Sequence, residues 1–100
     1  MKTTINEENG SCVLSLIGRL DTSASVQVEK DMQPLYDLQG RDIVLDCSQL
    51  EYISSSGLRL FLRLAKSARA KGNALTIANL ATDIRQVFEE TGFIRLFNVK

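Results

Sequence analysis

The sequence predicts an α/β fold: one domain with a mixed β-sheet of about four to five strands and helices packed on it. Three observations lead there. Short runs rich in β-formers and aliphatics alternate with longer stretches whose apolar residues recur every three or four positions. Polar cap and turn residues stand at the junctions between them. The chain has 100 residues, enough for one modest core and too few for two.

The elements follow in order. Thr3–Asn9 is polar and reads as an edge strand, with Gly10 and Ser11 as a turn into a second strand, Cys12–Gly18, so the pair forms a hairpin. Asp21, Thr22 or Ser23 then caps a helix continuing to about Gln33. Its inward face is Ala24, Val28, Met32 and Leu35. Pro34 lies too late for a first-turn proline and is expected to kink or end that helix. Asp42–Ser48 is an apolar run between polar flanks, the pattern of a strand buried on both faces. The segment Gln49–Ile53 then crosses to a serine-rich turn.

From Leu58 the residues Leu58, Phe61, Leu62, Ala65 and Ala68 form a helical stripe, widened by Leu60 and Leu64. Gly72 ends it as a left-handed residue. Ala74–Ala78 is a further buried strand. Thr82 is the expected cap of a helix with Ile84, Val87 and Phe88 inward, ended by Gly92. Ile94–Val99 is expected to be a last edge strand.

Composition narrows the function. The formal net charge is zero, unlike a typical nucleic-acid-binding domain, so no direct nucleic-acid contact is expected. No apolar run reaches the roughly 18 residues that span a bilayer. The opening MKTTINEENG has no apolar signal-peptide core, so the expected location is the cytoplasm. There is no histidine, which removes the usual general base of a Ser- or Cys-dependent enzyme and the commonest zinc ligand. Cys12 and Cys47 have no metal-ligand spacing and read as small buried apolar residues; a redox pair is the alternative. No phosphate-binding glycine loop occurs. Neither a metal nor a cofactor is expected, and neither is an enzyme.

One stretch remains unexplained by packing: Ser54-Ser55-Ser56-Gly57, between a buried strand and a buried helix. It falls at the carboxyl end of a strand, where open α/β sheets bind ligands and partners. It also opens a helix, whose first N–H groups lack partners and whose dipole end is positive. A serine there caps the helix, accepts a phosphate at an electrostatically suited place, or acts as a nucleophile. The last reading lacks an activating base, since the turn has neither histidine nor lysine. Beyond it, Arg59, Arg63 and Lys66 form a basic stripe, either a solvated face or a contact for an acidic partner.

The stretch VLDCSQLEYISSSGLRLFL resembles the signature of the STAS domain, in particular of bacterial anti-sigma factor antagonists. LIGRLD and VFEETGFIRLF resemble two further blocks of that family, in the same order. The resemblance implies that Ser55 is a regulatory phosphoserine and that Asp21 lies beside it. The partners it implies are an anti-sigma factor with serine kinase activity and a serine phosphatase. The expected docking surface comprises Asp21, Thr22, Ser54, Ser56, Gly57 and Arg59 around Ser55. The family commonly has Asp where Ser54 stands, which makes Ser54 a competing acceptor, and members often continue into a C-terminal helix, which is expected to be absent here. The alternative is a constitutive STAS scaffold or sensor module in which Ser55 is only a helix cap.

Overall fold

The computed structural model describes residues 1–99. A five-stranded sheet runs in chain order: β1 (Lys2–Glu8), β2 (Ser11–Leu20), β3 (Asp42–Ile53), β4 (Ala74–Ala78) and β5 (Asn98–Val99). β1 is antiparallel to β2, and the remaining neighbours are parallel, so the mixed sheet expected from the sequence is present. The helices are α1 (Thr22–Asp31), α2 (Gln33–Tyr36), α3 (Ser55–Ala70) and α4 (Thr82–Glu90), with a 3-10 turn over Phe93–Leu96.

The first hairpin turns on Asn9 and Gly10, not on Gly10 and Ser11. Both have positive φ, 51° and 82°, the geometry that matches the twist of paired strands. Ser11 thereby joins β2, which continues to Leu20.

Cys12, Leu14 and Leu16 of β2, Ile43, Leu45 and Cys47 of β3 and Leu75 and Ile77 of β4 share one face. They form a single core with Val28, Met32, Phe61, Leu64, Ile84 and Phe88 from the helices. On the other face Val13 is buried but stands outside this core, and Ser15, Val44, Asp46, Thr76 and Ala78 are only half-buried. The helices therefore cover one face of the sheet. This corrects the expectation that β3 is buried on both sides: its apolar density reflects its central place in the sheet, not two covering layers. Phe61, Phe88 and Phe97 close the core under β4 and β5, with ring centroids 5.7–6.5 Å apart.

β3 also runs further than the sequence implied. Gln49–Ile53 is strand and not a crossing loop. Two register shifts against β2, between Ser15 and Ile17 and between Gly18 and Arg19, give β3 extra residues. Its buried positions accordingly change spacing, from Ile43, Leu45 and Cys47 to Leu50 and Ile53. Bulges of this kind erase the simple alternation that marks a strand in a sequence.

The helix breaks ahead of Pro34 as expected: α1 ends at Asp31, and Pro34 stands in the first turn of the short α2, where its missing N–H is harmless. Two other expectations need correction. Thr82 is the first residue of α4 rather than its cap, and the Asp83 carboxylate accepts from the Ile84 N–H at 3.0 Å instead. Half of the expected strand over Ile94–Val99 belongs to the 3-10 turn, leaving two residues to pair with β4. Burying Phe97 against Phe61 and Phe88 requires the chain to coil before it can pair. Gly72 and Gly92 do end α3 and α4 in left-handed geometry, with φ of 73° and 77°.

Candidate functional site

β2 and β3 end side by side, with Leu20 paired to Ile53. Each hands over at once to a helix. Asp21 caps α1 by accepting the Ala24 N–H at 2.8 Å. Ser54 caps α3, its Oγ accepting the Gly57 N–H at 3.2 Å. The Ser54 N–H donates to the Leu20 carbonyl at 2.8 Å, tying the two junctions together. Two helix N-termini, both with positive dipole ends, thus start next to each other at the carboxyl edge of the sheet.

The three serines divide by burial. Ser54 is 7 % exposed and committed to the cap. Ser55, the first residue of α3, is exposed, and Ser56 is half-buried. The helix begins at Ser55, so Leu58, where the apolar stripe starts, already lies in its first turn. The cap role weighed for Ser55 belongs to Ser54.

Gly57 is buried because nothing larger fits. A Cβ there would lie 2.7 Å from Leu20 Cγ and 3.0 Å from Ile53 Cγ1. The glycine lets α3 seat directly on the ends of β2 and β3, which fixes how far Ser55 projects.

Asp21 caps α1 rather than standing free. The Ala24 N–H and, less strongly, the Ser23 hydroxyl hold its carboxyl below the usual range. It remains ionised at neutral pH and faces solvent beside the start of α3. Thr22, the first residue of α1, is exposed. Arg59 is exposed one turn along α3 from Ser55, while Arg63 pairs with Glu29 of α1 at 3.0 Å. The structure therefore brings Asp21, Thr22, Ser54, Ser55, Ser56 and Gly57 to one edge of the molecule, with Arg59 at its margin.

Sequence patterning did not reveal one further pair. The Arg19 guanidinium lies over the Tyr52 ring, 4.5 Å from its centroid, and Tyr52 is 41 % exposed. The two precede Asp21 and Ser54 by two residues each and face each other only because of the bulge in β3. No local signal pairs them.

Other candidates lie elsewhere. Both cysteines are free and buried, and burial with the nearby Asp46 charge pushes the Cys47 thiol up to about 12. Cys12 pairs with Ile43, four residues before Cys47 on β3, so they do not face each other as a redox pair. Among the described residues no His, Cys, Asp or Glu group is arranged to hold a metal ion, and no helix is long and apolar enough to cross a membrane.

Comparison with known proteins adds the following. Residues 2–100 match the profile of the STAS domain. BtrV of Bordetella bronchiseptica, classed among anti-sigma factor antagonists, is 35% identical over 99 residues, covering 99% of this chain and 85% of its own. An anti-sigma-factor antagonist (STAS) domain protein from Planctomyces limnophilus superposes with a TM-score of 0.88 at 16% identity, over 98% of this chain and 87% of its own. The Bacillus cell fate determinant SpoIIAA, solved in its phosphorylated form, superposes with a TM-score of 0.73 at 22% identity, over 99% and 91%.

Proposed function

The chain belongs to the STAS domain family, among its anti-sigma factor antagonists, and from that premise we propose that it is a partner-switching regulator controlled by phosphorylation of Ser55. In its unmodified form it docks on an anti-sigma factor that is also a serine kinase, and so releases a sigma factor. The docking surface is the edge formed by Asp21, Thr22, Ser54, Ser56, Gly57 and Arg59 around Ser55. The kinase transfers the terminal phosphoryl group of ATP to Ser55 Oγ. The new O–P bond forms as the bond to ADP breaks, and the hydroxyl proton passes to a base of the kinase. A serine phosphatase hydrolyses the ester and resets the cycle.

The observation that carries this reading is the contrast between adjacent serines: Ser54 is buried and capping, whereas Ser55 is exposed at the first position of α3. A phosphate on Ser55 adds about −1.5 to −2 charges at a helix N-terminus, which accommodates an anion. The fold then has no reason to change. The partner, by contrast, meets a desolvated charge at the centre of its contact. The relative SpoIIAA has been solved carrying phosphate, in keeping with a modification that leaves this fold intact.

The chain contributes no catalytic base of its own. It has no histidine, and the Asp21 carboxylate is held by a helix cap. Incubation with an anti-sigma factor serine kinase and ATP, followed by mass spectrometric mapping, tests the assignment. Phosphate is expected on Ser55, retained in Ser54→Ala and lost in Ser55→Ala. Phosphate on Ser54, or on no residue, would return the chain to the constitutive scaffold reading.

A further inference from the structure

The far half of α3 carries a second surface. Leu62 and Ala65 of α3 and Leu96 of the 3-10 turn line a groove with Lys66 and Arg69 along it, and a second, more polar hollow adjoins it at Ala65, Arg69 and Leu96 and reaches Arg95. Leu96 is 46 % exposed, one of few large apolar side chains in contact with solvent. Lys66, Arg69 and Arg95 are all exposed.

The chain as a whole is neutral. The molecule's other surface hollows mix in carboxylates, Asp21 and Glu51 in one and Glu8 and Asp46 in another. Lys66, Arg69 and Arg95 stand in a lining that has no carboxylate, and among the described residues they make no ion pair. An apolar floor with an unneutralised cationic rim complements one kind of occupant. We propose that this groove docks an acidic, leucine-anchored helical segment of a partner protein. The leucines of such a segment, one turn apart, would lie on Leu62, Ala65 and Leu96, as amphipathic helices do in apolar grooves. Its glutamates or aspartates would face Lys66, Arg69 and Arg95. A nucleic acid fits less well, because the floor is aliphatic and offers no exposed ring for a base to stack on.

The groove is separate from the Ser55 edge. Lys66 and Arg69 lie 11 and 14 residues beyond Ser55 on one helix, or about 16–21 Å along its axis. That exceeds the screening length of about 8 Å at physiological ionic strength. Binding here is therefore indifferent to phosphate on Ser55 and holds a partner in both states of the switch. The inference does not depend on the Ser55 assignment.

The test is a titration of the isotope-labelled full chain, followed by amide chemical shifts. The probe is a synthetic acidic amphipathic peptide about four turns long, with a scrambled peptide of the same composition as control. Shifts are expected at Leu62, Ala65, Lys66, Arg69, Arg95 and Leu96. Affinity is expected to fall about tenfold in Arg69→Glu and in Leu96→Ser, and to stay unchanged in Ser55→Asp. Thermal melts confirm that the variants are folded; all three positions are exposed, and Lys66→Glu replaces any variant that is not. The proposal is overturned if no shifts occur at about 1 mM peptide, a level at which even weak docking registers. It is equally overturned if the shifts fall elsewhere, if the scrambled peptide binds as well, if Ser55→Asp abolishes binding, or if an RNA oligonucleotide binds the groove more tightly.

Discussion

Ser54 and Ser55 are chemically identical neighbours with opposite consequences. Removing the Ser54 hydroxyl leaves the buried Gly57 N–H without its acceptor, so Ser54→Ala is expected to lower stability by about 1–2 kcal/mol. Ser55→Ala removes an exposed group and is expected to change stability by less than about 0.5 kcal/mol. Urea denaturation of both variants checks the contrast; equal losses would mean that the cap is shared. Gly57 is the third decisive residue here. An alanine gains helix propensity, yet its Cβ meets Leu20 and Ile53 closer than carbon atoms pack. Gly57→Ala is expected to destabilise by about 1–3 kcal/mol, measured the same way. A neutral or stabilising result would show that Leu20 and Ile53 yield easily and that the seating of α3 is not tight.

At the scale of elements, one helix cap and one strand carboxylate carry the pH dependence. Asp21 has a folded-state pKa below its unfolded value, because the Ala24 N–H and the Ser23 hydroxyl favour its charged form. Asp46 is also lowered: burial works against it but is outweighed by hydrogen bonds, first from the Ser48 N–H and then from Asn79. Each carboxylate therefore contributes stability that is complete above the unfolded value of about 3.9 and is lost as pH falls through the depressed folded value. Melts from pH 6 down to about pH 2 are expected to show a falling Tm that is shallower in Asp21→Asn. Asparagine still caps a helix, so that variant keeps most of its neutral-pH stability, whereas Asp21→Ala loses a few degrees of Tm. A docking defect in Asp21→Asn would then report on the charge itself. Most elements were legible because their periodicities are undisturbed: α3 and α4 have clean apolar stripes, and glycines end them. The misreadings share a physical cause, which is that tertiary packing overrode a local signal. The bulges in β3 broke the alternation over Gln49–Ile53, and burial of Phe97 turned an apparent strand into a 3-10 turn. The separate start of α2 at Gln33 was not legible either, because four residues are too few to show a period.

For the molecule as a whole, the arrangement converts topology into a surface. Parallel β2 and β3 bring their carboxyl ends together, and both helices that follow begin there. Residues 21 and 54, far apart in sequence, therefore cap neighbouring helices joined through the Leu20 carbonyl. The candidate site was legible as a helix start after a strand, and the proposal that Ser55 is its acceptor rests on the family resemblance and on its exposure. The division of labour between Ser54 and Ser55 was not legible, because both fit a cap equally well until burial separates them. The Arg19–Tyr52 pair and the cationic groove were hidden for a related reason, since each joins residues from separate elements. The central claim is that Ser55 is a switch on a rigid surface. Its most direct test is calorimetric titration of the wild type and Ser55→Asp into an anti-sigma factor serine kinase that binds the wild type, with thermal melts of both. Affinity is expected to fall about a hundredfold in Ser55→Asp, as for a charge buried without a partner, while Tm stays within a few degrees. Equal affinity of the two proteins for the kinase would contradict the claim, and so would a loss of binding that merely tracks a loss of folding.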